Sequence, residues 1–147
     1  MNRVLVFDPG DHTGWVFRDG LGNLEGGCIY HDKDSKKDFQ AIGDLFIHFV
    51  PDVVVFETFH LYAGAAQHLV HSDFYTCQVI GAIKLIAYNS SAKFIVPQAP
   101  SVKKYSGGLD NHGYLKVRNG TEHTKDAYLH LKFFERNNEA KLKQFRI

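Results

Sequence analysis

Two unbroken apolar runs, Val4-Leu5-Val6-Phe7 and Val53-Val54-Val55-Phe56, stand out along the chain. Runs of β-branched and aromatic residues this short, with no polar alternation, predict strands covered on both faces. The first run stops at Asp8-Pro9-Gly10, a turn signal. Strands over Thr13–Arg18 and Glu25–His31 flank the glycine-rich turn Asp19-Gly20-Leu21-Gly22-Asn23 and complete an antiparallel meander. From Lys36 to Val50 the period changes: Phe39, Ile42, Leu45, Phe46 and Phe49 recur at helical spacing until Pro51 ends the pattern. A helix joining two fully apolar strands predicts that those strands lie parallel.

Further on, Ala65 to Tyr88 reads as one long helix, softly interrupted by Gly81. Its later portion, from Val79 to Ala87, is apolar nearly all round, so it needs cover on two sides, from its own sheet and from something else such as a second subunit. Lys93-Phe94-Ile95-Val96 is a last strand, closed by Pro97 and Pro100. The four glycines in Ser106–Gly120 mark a loop, and a final helix covers Thr121 to Arg136. The order βββαβαβα predicts an α/β fold: a mixed five-stranded sheet with helices on both faces, in one domain spanning residues 1–147.

Composition narrows the class. The 147 residues are 44% hydrophobic and 22% charged, which is ordinary globular usage. No apolar run approaches the roughly 18 residues that span a bilayer. Asp8 and Asp11 interrupt any secretory-signal pattern, and Cys28 and Cys77 lack metal or disulfide spacing, so both read as small buried hydrophobes in a reduced, cytoplasmic setting. The net charge of +1 hides an asymmetry: up to residue 83 there are 5 Lys/Arg against 11 Asp/Glu, and from Lys84 onward 12 against 5. An acidic half carrying metal ligands beside a basic half carrying phosphate contacts is an arrangement suited to a nuclease.

The acids with the most telling positions are Asp8 and Glu57, each directly after a buried strand. Ligands gather at the carboxyl ends of parallel strands, so two such acids can converge on one point, and a carboxylate there needs water, a partner or a cation. His123 and Asp126, three apart on the final helix, share one face, which Ala127, His130 and Phe134 continue as a stripe able to dock beside Asp8. Carboxylate and neutral imidazole both ligate divalent metals. Lys103, Lys104, Lys116, Arg118 and Lys125 are the expected phosphate contacts.

Phe7-Asp8-Pro9-Gly10 followed by Thr13-Gly14-Trp15, then Val53 to Glu57, then His123-Thr124-Lys125-Asp126-Ala127, resembles the RuvC family of Holliday-junction resolvases, which has the RNase H-like fold. Cys77-Gln78-Val79-Ile80-Gly81 and Pro100 to Gly107 are also similar to family elements, so the likeness runs from about Arg3 to Phe134; the small size suggests a phage-type member, whose setting is the host-cell cytoplasm. The resemblance implies that Asp8, Glu57, Asp126 and His123 are catalytic metal ligands, His123 standing where many members have an acid. It implies Mg²⁺, with Mn²⁺ also effective, at two ions per site, and no organic cofactor. Lys103 and Lys104 match the family's basic pair near the scissile strand. An aromatic beyond the glutamate contacts the junction centre in some members; Phe59, His60 and Tyr62 are the candidates here. The family acts on branched DNA as a homodimer.

Three other readings compete. One is an RNase H-like nuclease acting on RNA–DNA hybrids or unselectively on flaps and forks. Another is a non-catalytic junction-binding protein, which the full set of candidate ligands disfavours. An ATPase of the actin and sugar-kinase class needs a second phosphate loop and more than twice the length.

Overall fold

The computed structural model describes residues 1–59, 74–106 and 116–147, without the side chains of residues 105 and 106. Five strands form one sheet: β1 (Val4–Asp8), β2 (His12–Arg18), β3 (Leu24–Tyr30), β4 (Val53–Glu57) and β5 (Phe94–Gln98), in the order β3-β2-β1-β4-β5. The first three strands are the expected meander, with Asp8 opposite Gly14 and Val4 opposite Arg18. β1 and β4 are parallel, Val4 beside Val53, and β5 extends the parallel half.

The sheet has a core on each face, as strands without polar alternation require. Val4, Val6, Val53, Val55 and Val96 point to one side and meet Ala127, Tyr128 and Leu131 of helix α4 (Thr124–Phe133). Leu5, Phe7, Val54 and Phe56 point to the other and meet Ile42, Phe46 and Phe49 of α1 (Ser35–Phe49) and Val79, Ile83 and Ala87 of α2 (Tyr75–Tyr88). A short α3 (Val102–Ser106) follows β5. Asp34 caps α1 by accepting from the Lys36 amide, and Val50, in the left-handed region, ends it.

Several boundaries differ from the sequence pattern. β5 runs through Pro97 to Gln98 instead of stopping; as an edge strand it tolerates a residue with no amide hydrogen. The long helix expected from Ala65 does not continue through Phe74, whose φ of 49° breaks it so that α2 begins at Tyr75. Tertiary contacts hold that break: the Phe74 ring meets Phe59, and the Tyr75 hydroxyl donates to Asp38. The portion of that expectation within residues 60–73 lies outside the described residues. The expected last helix is shorter as an α-helix and passes into a π-helical turn, Phe134–Asn138, and a 3₁₀ segment, Glu139–Phe145. Buried Arg18 anchors this turn through Glu135 and Glu139, at 3.3 and 2.5 Å. Cys77 is exposed, not buried, since it lies on the outer side of α2, and Cys28 is half-buried. No described helix is long and apolar enough to cross a membrane.

Candidate metal centre

Asp8 ends β1 and Glu57 ends β4, and because these strands are parallel neighbours in register, both carboxylates leave the sheet at the same edge. Helix α4 crosses that edge from one face and delivers Asp126 and His130, one turn apart. From the end of β5, α3 delivers Lys103. Its ammonium lies 3.0 Å from Glu57 Oε2, 3.4 Å from Asp126 Oδ2 and 3.8 Å from Asp8 Oδ1. Three acids widely separated in the chain thus surround one cation.

Beneath them His130 is fully buried, with Nε2 2.7 Å from Glu57 Oε2 and Nδ1 2.7 Å from Gln98 Oε1. Gln98 in turn donates from its amide to Asn138 Oδ1 at 3.1 Å. The ligand atoms of Asp8, Glu57 and His130 all lie within 4.8 Å of one another, a grouping that could hold a metal ion. Gly14 fixes the height of α4: a Cβ at this position would lie 1.8 Å from the carbonyl oxygen of His123.

The charges are unevenly matched. Burial, followed by the nearby charge of Glu57, pushes Asp8 up to about 8. Burial acts on Glu57 in the same direction, but hydrogen bonds from His130, Lys103 and Asp8 overcome it and hold its carboxyl well below the usual range. Of the two neighbours, Asp8 is the acid whose charge the crowding disfavours, because the positive charge nearby lies closer to Glu57. Carboxylate oxygens with one imidazole nitrogen, crowded and partly dry, are a donor set that a divalent cation fits.

Of the residues expected from sequence, Asp8, Glu57 and Asp126 come together, and Lys103 joins them. His123 lies one turn before Asp126 but packs its ring on His12 and Tyr30, centroids 5.1 and 5.7 Å away, with Nε2 3.5 Å from Glu122. Lys104 and Lys125 are exposed on α3 and α4. Arg118 pairs with Glu25 at 2.7 Å, and its amide bonds Leu24. Together with Lys116 it lines a cleft of about 580 Å³ by the β2–β3 turn, at the end of the sheet opposite Asp8. Phe59 is 38% exposed just beyond Glu57; His60 and Tyr62 lie outside the described residues. Sequence reasoning placed His130 on the docking stripe without a chemical role, although its position four residues after Asp126 puts both on one face. Gln98 carried no signal, because Pro97 read as the end of the strand.

Neither protein-family models nor curated proteins give a match to the chain. Solved structures do. RuvC of T. thermophilus in complex with a Holliday junction substrate superposes with a TM-score of 0.65 at 18% identity, over 94% of this chain and 97% of that one. The chain has the RuvC fold. The fowlpox virus Holliday junction resolvase shares it at a TM-score of 0.58 and 13% identity, covering 91% of this chain and 99% of its own. The yeast mitochondrial Holliday junction resolvase does so at 0.60 and 14%, covering 97% and 81%. The RuvC fold agrees with the expected α/β, RNase H-like architecture, including the mixed five-stranded sheet.

Proposed function

We propose that this protein is a metal-dependent endodeoxyribonuclease that cuts branched DNA, with four-way junctions as its substrate. The observation that carries this reading is the convergence of Asp8, Glu57 and Asp126 around Lys103 at the carboxyl edge of the parallel strands. Phosphodiester hydrolysis needs a nucleophilic water, in-line geometry and neutralisation of the leaving oxygen. Divalent metal, Mg²⁺ or Mn²⁺ at two ions, supplies the Lewis acidity for this when bound. Asp8, Glu57 and Asp126 would hold it. His130 and Gln98 orient Glu57 from below, and the burial of this layer excludes bulk water.

Lys103 has a second role in this reading. Its ammonium moves from the acids to the scissile phosphate as DNA enters, so that binding and site opening are one event. Lys104 and Lys125 extend the phosphate track on the same side of the molecule, with Lys116 and Arg118 serving a distal arm of the substrate. Of the aromatics expected to stack on unpaired bases at the branch point, Phe59 is exposed just beyond Glu57, and such stacking would give selectivity for shape over sequence. A near-two-fold junction calls for two active sites, and the exposed Leu85 and Tyr88 on the outer side of α2 suit a homodimer. The cytoplasm is the fitting compartment.

Cleavage assays on a mobile four-way junction, a fork and an RNA–DNA hybrid in parallel test the assignment. Symmetric nicks on opposing junction strands, with at least tenfold slower cutting of the other two, are expected. Preferential cutting of the hybrid would move the protein to the RNase H-like alternative.

A further inference from the structure

We propose that the C-terminal segment carries a phosphate-binding strip along one margin of the sheet, and that a duplex arm of the branched substrate lies on it. This rests on the branched-DNA reading above and adds a surface that none of the expected phosphate contacts occupies. The segment leaves α4 through the π-helical turn and follows the outer edge of β5 in the antiparallel sense. At its start Asn138 Oδ1 accepts from the Gln98 amide, at the carboxyl end of that strand. At its finish Arg146 bridges Phe94, and the Ile147 amide donates to the Lys93 carbonyl at 3.0 Å. The path therefore runs from the layer beneath the acids down the length of β5, about 13 Å at the usual rise of a strand.

Charge is sorted across this path. Residues 132–147 hold Lys132, Arg136, Lys141, Lys143 and Arg146 against Glu135 and Glu139. Both acids turn inward to buried Arg18, at 3.3 and 2.5 Å, and Glu135 also meets Lys132 at 3.5 Å. Arg136, Lys141, Lys143 and Arg146 are left exposed, and none of them has an acidic partner among the described residues. Arg146 rests its guanidinium over the Phe94 ring, 5.7 Å from the centroid, which positions the charge without neutralising it. The 3₁₀ pitch accounts for the sorting. Three residues per turn align Glu139, Leu142 and Phe145 on one side. Leu142 and Phe145 pack on the core, so Lys141 and Lys143 are turned to solvent.

A row of cations with the nearby acids engaged elsewhere suits a polyanion. Duplex DNA presents one charge per about 1.7 Å of its axis, so a strip of this length faces several phosphates at once. The strip offers charge and no exposed ring on which a base could stack. It would therefore hold a paired arm by its backbone, and not the unpaired bases of the branch. Lys116 and Arg118 lie by β3, at the other margin, while Asp8 and Glu57 end the strands between the two. The margins would thus take different arms. Lysines on a sheet margin also keep foreign strands from adding to it, and the test separates that role.

The measurement is equilibrium binding of the full chain to a fluorescent four-way junction in chelator, so that no cutting occurs. Lys141→Gln with Lys143→Gln should lower the slope of log affinity against log salt by about 2 and weaken binding at low salt at least about tenfold. Lys141→Arg with Lys143→Arg keeps both charges and should retain the wild-type slope. Acetylation of the wild-type protein, read by mass spectrometry, gives a second view that no variant's folding can disturb. Bound junction should protect Lys141 and Lys143 severalfold. An unchanged slope in the Gln pair, or acetylation indifferent to the junction, overturns the strip and leaves the nuclease reading intact. If the Gln pair aggregates, the lysines guard the margin, and acetylation of the wild type decides whether DNA lies there as well. A wild-type protein that neither binds nor cuts a junction ends both.

Discussion

Two acids in this molecule, buried Asp38 and half-buried Glu57, pair with a histidine, and the networks around them behave in opposite ways. Asp38, on α1, accepts from the Tyr75 hydroxyl and from His31 Nδ1, both at 2.5 Å, while the His31 ring leans on Tyr75. Glu57 accepts from His130 in a similar manner, yet Asp8 and Asp126 crowd the same ammonium. At Asp38 two donors meet on Oδ2 and there is one negative charge to satisfy. Burial would raise this carboxyl, but Tyr75 and His31 outweigh burial and lower it. At the sheet edge there are more carboxylates than donors, and Asp8 is pushed up instead. The difference teaches that burial of an acid is not in itself a sign of function. A satisfied network holds two helices and a strand end together; an under-neutralised one is a group that could hold a cation.

The sharpest way to break the contrast is to neutralise one acid in each network. Asp8→Asn should bind a four-way junction normally and cut it at least about a thousandfold more slowly, a loss of some 4 kcal/mol of transition-state stabilisation. The same variant, stripped of metal at pH 8, should melt above the wild type because a like-charge clash has gone. Near-wild-type cutting in Mg²⁺ would remove Asp8 from the machinery. Asp38→Asn should do the reverse, leaving junction cutting at permissive temperature within a few fold while lowering stability by about 3 kcal/mol in denaturant unfolding. Equal stability of Asp38→Asn and wild type would erase the distinction.

How much of this was legible in the chain depends on what kind of link each residue uses. Asp8 and Glu57 were readable because a carboxylate directly after a buried strand is a local pattern with one physical meaning at the carboxyl edge. Asp126 followed from helical periodicity. Lys103 was expected as a phosphate contact, but its position among the acids was not legible, nor was that of Gln98, since both reach the cluster through the approach of β5 and α3, and no spacing in the sequence encodes that approach. His130 was visible only as part of an apolar stripe, where a histidine usually means packing. The break at Phe74 was hidden for a similar reason: its cause is the distant Phe59 and Asp38, while its own neighbours favour a continuous helix. Strand and helix identities, by contrast, come from alternation and run length, and the sheet with its two cores follows them closely.

Smaller effects refine the comparison. Tyr75→Phe removes one charge-assisted donor from Asp38 and should cost about 2 kcal/mol, measured by urea unfolding. The pH dependence of the two networks has opposite sign. Asp38, with its carboxyl lowered on folding, contributes stability that is present above the ordinary range near 3.8 and is lost as pH falls through it. Asp8 keeps its proton in the folded protein up to about 8 but loses it near 3.8 when unfolded, so its contribution is lost as pH rises across that window. Melting in chelator from pH 5 to 8 should therefore fall for the wild type relative to Asp8→Asn; parallel curves would contradict the crowding. Smallest of all, Lys104→Ala should reduce the slope of log affinity against log salt by about 1 on duplex arms. An unchanged slope would take Lys104 off the phosphate track.

Gly14 sets a tolerance on all of this. With the His123 carbonyl where its side chain would begin, the strand meets the helix backbone to backbone, with nothing compressible between them. The depth at which Asp126 enters the cluster is thus gauged by the absence of a single carbon. Any larger residue there acts as a shim, tilting the helix off its seat and spreading the donors without touching one of them.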